Sequence, residues 1–188
     1  MKRIAVFASG TGSNFQAIVD AVKESRLHAQ IALLVCDKPG AAVINKANEA
    51  KVDTFVFSPK QYASKVEFEQ EIVNQLHSHE VDYIVLAGYM RLIGPTLLEA
   101  FSNKIINIHP SLLPAFPGID AVGQAVRAGV KVTGVTIHYV DEGMDTGPII
   151  AQRAVELVDT DALEDVEQKI HEVEHVFYPE TLEKLLQE

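Results

Sequence analysis

The sequence carries a single cysteine, no long apolar run, and little positive charge for its 188 residues. The lone thiol, Cys36 in the run IALLVC, excludes an intramolecular disulfide, fits a reducing compartment, and reads as a small buried hydrophobe. Nothing approaches the roughly 18 uninterrupted apolar residues of a membrane span, and the N-terminal MKRIAVFASG has too short an apolar core for a secretory signal, so a cytoplasmic protein is expected. Lys and Arg total 16 against 26 Asp and Glu, a formal net charge of −10. That balance argues against a general nucleic-acid surface, and any anionic ligand must be held locally.

What is present suits an ordinary globular chain: 47% hydrophobic residues, with no linker, repeat or low-complexity segment, hence one domain over residues 1–188. Short apolar runs at 3–9, 30–37, 53–58, 81–88 and 104–109 alternate with amphipathic segments at 13–25, 41–51 and 64–79. This rhythm predicts an α/β fold, a doubly wound and mostly parallel sheet covered on both faces. Segments 130–143 and 147–157 read as two β-branched strands, an antiparallel C-terminal addition. The tail, 161–187, is helical in pattern, with Asp161 as N-cap and a break or kink at Pro179.

Between the first strand and first helix lies SGTGSN, residues 9–14. Glycines there let the backbone turn and present N–H groups to an anion at a helix N-terminus. A dinucleotide fingerprint would need glycine where Phe15 stands, and no P-loop Lys-Ser or Lys-Thr pair follows. The loop is therefore a nest sized for one phosphate monoester, or a plain turn with Ser13 as N-cap.

The stretch NIHPSLLPAFPG, 107–118, begins at the carboxyl end of a predicted strand, where ligands bind in doubly wound sheets. Asn107 and His109, two apart, project to one side, so an amide donor and an imidazole can converge on one atom. Pro110, Pro114 and Pro117 stiffen the wall beside the histidine. Asp145, in DEGMDTGP, is placed to fold over the same edge and keep the imidazole protonated as a general acid, or else is a turn aspartate. His138 in VTIHYV reads as a satisfied strand histidine, with the same cleft as its other option. His77 and His79 share no helical face, and His171 and His175 lack the glutamate and third ligand of a zinc site, so no metal is expected.

Taken together in order, SGTGSN, LAGYMRL (86–92), NIHPSLLPAFPG and HYVDEGMDTGPII (138–150) resemble the phosphoribosylglycinamide formyltransferase family, the folate-dependent transformylases of purine biosynthesis. The resemblance spans essentially the whole chain and implies the formyltransferase-type fold. It implies that Gly12, Ser13 and Asn14 hold the phosphate of glycinamide ribonucleotide, with Glu174 beside the ribose or amine. It also implies that Met90, Arg91, Leu92, Ile93 and Asn107 receive 10-formyltetrahydrofolate, with Asn107, His109 and Asp145 as the catalytic trio. Lys65 stands where some members place a folate-reaching arginine, keeping the charge but losing the bidentate fork. The implied partners are those two small molecules, with neither nucleic acid nor membrane, for a monomer or homodimer.

Other functions compete less well. A formyltetrahydrofolate hydrolase usually has an extra N-terminal regulatory domain and an altered HP step, whereas this chain starts at its first strand and keeps His109-Pro110. A methionyl-tRNA formyltransferase needs a further domain and a basic surface. A nicotinamide-dependent oxidoreductase would use Asp37 as the ribose-binding acid, against which Phe15 counts.

Overall fold

Along the first strand, β1 (Lys2–Ala8), Ile4, Val6 and Ala8 face one apolar cluster while Ala5 and Phe7 face another. Both faces of the strand are dry, which is why its run shows no polar alternation. The computed structural model describes all 188 residues. After β1 come α1 (Ser13–Lys23), β2 (Ala29–Cys36), α2 (Ala42–Glu49), β3 (Thr54–Val56), α3 (Lys65–Ser78), β4 (Tyr83–Leu86), α4 (Pro95–Ala100) and β5 (Ile105–His109). The chain ends with α5 (Ala121–Ala128), β6 (Val132–Tyr139), β7 (Ile149–Glu156) and α6 (Leu163–Leu186).

One sheet orders these strands β3-β2-β1-β4-β5-β6-β7. All pairs from β3 to β5 are parallel, and β6 and β7 are antiparallel, as the sequence pattern predicts. Phe15 and Ile18 of α1, Val43 of α2 and Phe177, Tyr178 and Leu182 of α6 cover one face. Phe68, Ile72 and Leu76 of α3 with Leu97 of α4 cover the other. The winding reverses between β1 and β4, so the loops leaving their carboxyl ends part and open a crevice. The end of β5 borders it.

Two expectations for the tail are corrected. Ala162, not Asp161, is the N-cap of α6, and the Asp165 carboxylate accepts the Ala162 N–H at 2.8 Å. Asp161 instead accepts from the Val158 N–H at 2.9 Å and Lys169 Nζ at 2.6 Å, tying the preceding turn to the helix. Nor does Pro179 break α6, which continues to Leu186. Apolar anchors on both sides of the proline, Phe177, Tyr178 and Leu182, are packed in the core, and that burial outweighs one missing backbone bond. The fully buried Tyr178 hydroxyl donates to the Leu86 carbonyl at 2.8 Å and stitches α6 to the sheet beneath the crevice.

Candidate active site

The loop after β1 turns at Gly12, whose φ of 77° lies in the left-handed region. A Cβ there would stand 2.5 Å from Val43 Cγ2, so only glycine lets the loop lie against α2. Gly12 is the N-cap of α1 and Ser13 the first helical residue, which corrects the reading of Ser13 as the cap. No side chain caps the helix, so its first-turn N–H groups face outward without side-chain partners, beside the Ser13 hydroxyl. Asn14 Nδ2 donates to Glu174 Oε2 at 2.7 Å, bringing the C-terminal helix to the edge of the nest. Burial raises the Glu174 carboxyl above its ordinary range, while the Asn14 bond, His171 and His109 pull it down.

At the end of β5, His109 is buried between two acceptors. One ring nitrogen, Nε2, donates to the Phe116 carbonyl at 2.9 Å, and Nδ1 lies 3.5 Å from Asp145 Oδ2. A carbonyl and a carboxylate can only accept, so each ring nitrogen is turned toward an acceptor. Asp145 adopts φ 58° and accepts the Gly118 N–H at 2.8 Å through the same oxygen. The segment 110–118 therefore does more than wall off the histidine, because its backbone holds both side chains. It is held in turn from β6 and β7. Thr136 Oγ1 donates to the Ser111 carbonyl at 2.7 Å and accepts from the Leu113 N–H at 3.0 Å, and Gln152 Nε2 reaches the Leu113 carbonyl at 2.9 Å.

Asn107 lies opposite His138 in the β5–β6 register, and its Nδ2 stands 3.4 Å from His138 Nε2. The other His138 nitrogen, Nδ1, donates to the Tyr139 carbonyl at 2.8 Å. Burial lowers the His138 pKa, against the opposing pull of the Tyr139 bond and of Asp145, whose Oδ1 lies 3.9 Å away, and in the neutral ring Nε2 carries the lone pair that accepts from the amide. His138 is thus the satisfied, buried strand histidine the sequence suggests, and one of its two partners is the Asn107 amide, which it helps to orient.

Across the crevice, the segment leaving β4 exposes Met90 and Leu92 and turns Ile93 into the α3–α4 core. Ile93 can meet a ligand only through its backbone. Arg91 Nε donates to Asp37 Oδ2 at 2.8 Å, with its guanidinium 6.0 Å from the Phe68 ring centre. Lys65 Nζ is bonded to the Leu92 carbonyl and so braces this segment. Pro95 starts α4, where its missing N–H costs no helix bond. Asp37, the ribose acid of the nicotinamide reading, uses both oxygens internally, on Arg91 and on the Ser9 hydroxyl.

Residues 2–182 match the protein family described as formyl transferase. The chain belongs to the formyl transferase family. It is 64% identical over 186 residues to the phosphoribosylglycinamide formyltransferase of Bacillus subtilis (strain 168), covering 99% of this chain and 95% of that one. It is also 39% identical to a human trifunctional purine biosynthetic protein, covering 96% of this chain but 18% of that longer one. Among solved structures, glycinamide ribonucleotide transformylase 1 from Geobacillus kaustophilus superposes with a TM-score of 0.97 at 64% identity, covering 99% of both chains. The Bacillus halodurans phosphoribosylglycinamide formyltransferase gives 0.97 at 56% identity, covering all of this chain and 96% of that one. The resemblance read from the four motifs is borne out, as is the formyltransferase-type sheet.

For this formyl transferase, the structure brings Asn107, His109 and Asp145 to one mouth, with Asn14 and Glu174 on one flank and the Met90–Leu92 backbone on the other. Residues that sequence reasoning missed are the Phe116 carbonyl and Gly118 N–H, which are main-chain groups without a residue-type signal. His171 was weighed only as a metal ligand. It belongs near Glu174, whose carboxyl it draws down, with its ring stacked 6.2 Å from that of His175.

Proposed function

We propose that the protein transfers the formyl group of 10-formyltetrahydrofolate to the amine of glycinamide ribonucleotide, N1-(5-phospho-D-ribosyl)glycinamide, in purine biosynthesis. The observation that carries this reading is the convergence of Asn107, His109 and Asp145 at the end of β5, between an uncapped helix N-terminus and an exposed apolar segment. The first-turn N–H groups at Gly12, Ser13 and Asn14 receive the phosphate, and Glu174 faces the sugar or amine. Met90, Arg91, Leu92 and Ile93 offer main-chain groups and two exposed side chains to the folate ring. Lys65 serves that ligand by bracing the segment.

The amine nitrogen attacks the formyl carbon, a C–N bond forms, and the bond from that carbon to folate N10 breaks as a proton passes from the amine to N10. Asn107 Nδ2 and the His109 imidazolium donate to the oxyanion that develops between, and the Asp145 carboxylate supports the imidazolium charge. To reach the substrate, His109 exchanges its Phe116 partner for the reacting group. No enzyme nucleophile is required.

The reading takes residues 1–188 as one formyltransferase domain, working in the cytoplasm as a monomer or homodimer on two small molecules, without metal, nucleic acid or membrane. The test is absorbance detection of tetrahydrofolate, or its 5,8-dideaza analogue, released from the 10-formyl donor. Release only with glycinamide ribonucleotide supports the transferase. Release without it makes the protein a hydrolase, and silence in both overturns formyl chemistry on these substrates.

A further inference from the structure

The segment 88–94 carries no regular secondary structure, yet polar contacts from three other elements hold it from behind. At its N-terminal end, the Ser9 N–H donates to the Gly88 carbonyl at 3.0 Å. The Met90 N–H donates to Ser9 Oγ at 3.0 Å, and that hydroxyl donates to Asp37 Oδ1 at 2.5 Å. A hydroxyl has one hydrogen and a carboxylate can only accept, so Asp37 fixes the direction of the relay and leaves Ser9 free to accept from Met90. The second Asp37 oxygen takes the Arg91 guanidinium. Asp37 is 9% exposed and therefore meets this segment rather than solvent.

At the other end, Glu69 of α3 is 2% exposed, a rare burial for a carboxylate. Its Oε2 accepts the Gly94 N–H at 2.8 Å, and Oε1 has no partner. A Cβ on Gly94 would stand 2.5 Å from that Oε1 and 3.0 Å from Lys65 Cε, so any larger residue would push the ends of these two side chains away from the segment. One turn earlier on α3, Lys65 takes the Leu92 carbonyl. Tyr89 lies between the two carboxylates electrostatically, since burial, reinforced by Asp37 and Glu69, pushes its phenol far up and keeps it neutral. These side chains turn their polar atoms to the segment's main chain or to Arg91, behind the face that exposes Met90 and Leu92.

We propose that Asp37 and Glu69 are positioning residues that fix the Met90–Gly94 main chain in the shape that receives the folate co-substrate. The proposal rests on the functional reading above, which gives that segment to folate. Two buried acceptors, one at each end, set the directions of the intervening N–H and C=O groups before ligand arrives, and preorganisation lowers the ordering cost of binding. Their effect falls on one substrate, because the phosphate goes to the N–H groups of Gly12, Ser13 and Asn14 at the far end of the loop after β1, whereas Ser9 at its near end turns its hydroxyl to Met90 and Asp37.

The test compares kcat and both KM values for the wild type, Asp37→Asn, Asp37→Ala, Glu69→Gln, Glu69→Ala and Ser9→Ala. Glu183→Gln is the control, a carboxylate that accepts the His28 N–H at 2.7 Å away from the cleft. The expected result is a KM for the 10-formyl donor raised by about tenfold or more in the alanine variants, the scale of a lost hydrogen bond to a charged group. The Asn and Gln variants, which keep an acceptor, fall between. KM for glycinamide ribonucleotide and kcat stay within about threefold, a margin small against that scale. Ser9→Ala cuts the same relay without touching a charge, so the proposal stays testable if Asp37→Ala fails to fold. Equal rises in both KM values, a fall in kcat alone, or no change in Ser9→Ala and Glu69→Gln overturns it. A wild type without nucleotide-dependent turnover overturns the functional reading first, and the positioning role with it.

Discussion

His109 Nδ1 stands 3.5 Å from Asp145 Oδ2, and the same short segment holds both, through the Phe116 carbonyl on one and the Gly118 N–H on the other. The ring is thereby fixed in orientation, with the carboxylate beside one nitrogen and a carbonyl beside the other. Asp145→Asn retains an oxygen for Gly118 but removes the charge. We expect kcat to fall by about two to three orders of magnitude, the scale for losing one stabiliser of a developing oxyanion. The circular dichroism spectrum should be unchanged, and near-normal turnover would remove Asp145 from the mechanism.

Asn107 and His138 form a second pair. Asn107→Ala should lose at least about two orders of magnitude in kcat, since the amide donor vanishes. His138→Ala should lose about tenfold, because the amide remains but is no longer aimed, a cost near that of one hydrogen bond. The double variant should match Asn107→Ala alone. Multiplicative losses would mean that His138 acts separately.

Glu174 makes stability and function oppose one another. Its folded pKa is raised, so the native state binds more protons than the unfolded chain between the ordinary carboxyl value of 4.5 and the folded value. Stability is lost as pH rises through that window. Glu174→Gln, which keeps an oxygen for Asn14 Nδ2, should therefore raise Tm at neutral pH and leave it unchanged well below pH 4.5. It should also raise KM for the nucleotide. A lower Tm at neutral pH, measured by calorimetry, contradicts the burial argument.

The Tyr178 hydroxyl bonds the Leu86 carbonyl at 2.8 Å inside the core. Tyr178→Phe strands that carbonyl and should cost about 1–3 kcal/mol in urea unfolding, the desolvation penalty of an unpaired buried group. Turnover at 25 °C should hold, because the hydroxyl reaches no substrate.

Much of this was legible in the sequence for physical reasons. The β1, β2, β4 and β5 runs are buried on both faces, so unbroken apolar character marked them, and β6 and β7 stood out by β-branched content. Asn107 and His109 were readable because strand alternation places them together at a strand end. The cap of α6 was misjudged because two acids, Asp161 and Asp165, compete near one helix start, and tertiary contacts decide between them. The helix runs on through Pro179 without a break because core burial on either side overrode a local rule. Asp37 was noticed for the wrong partner, and Glu69 looked like any helix carboxylate, since burial leaves no mark on residue type. Lys65 could be placed near the Met90–Ile93 segment only by resemblance, and its bond to Leu92 comes from the folded geometry.

The groups that grip His109 and Asp145 from segment 110–118 are an amide and a carbonyl, present whatever side chains stand at those positions. Phe116 holds φ 52° and Gly118 φ 81°. Tolerance to substitution there is therefore conformational, not chemical. A saturation library at position 116 should retain residues that accept left-handed backbone, such as Gly and Asn, and reject the β-branched ones. The shape of the chain, more than its alphabet, is what inheritance must preserve in this loop.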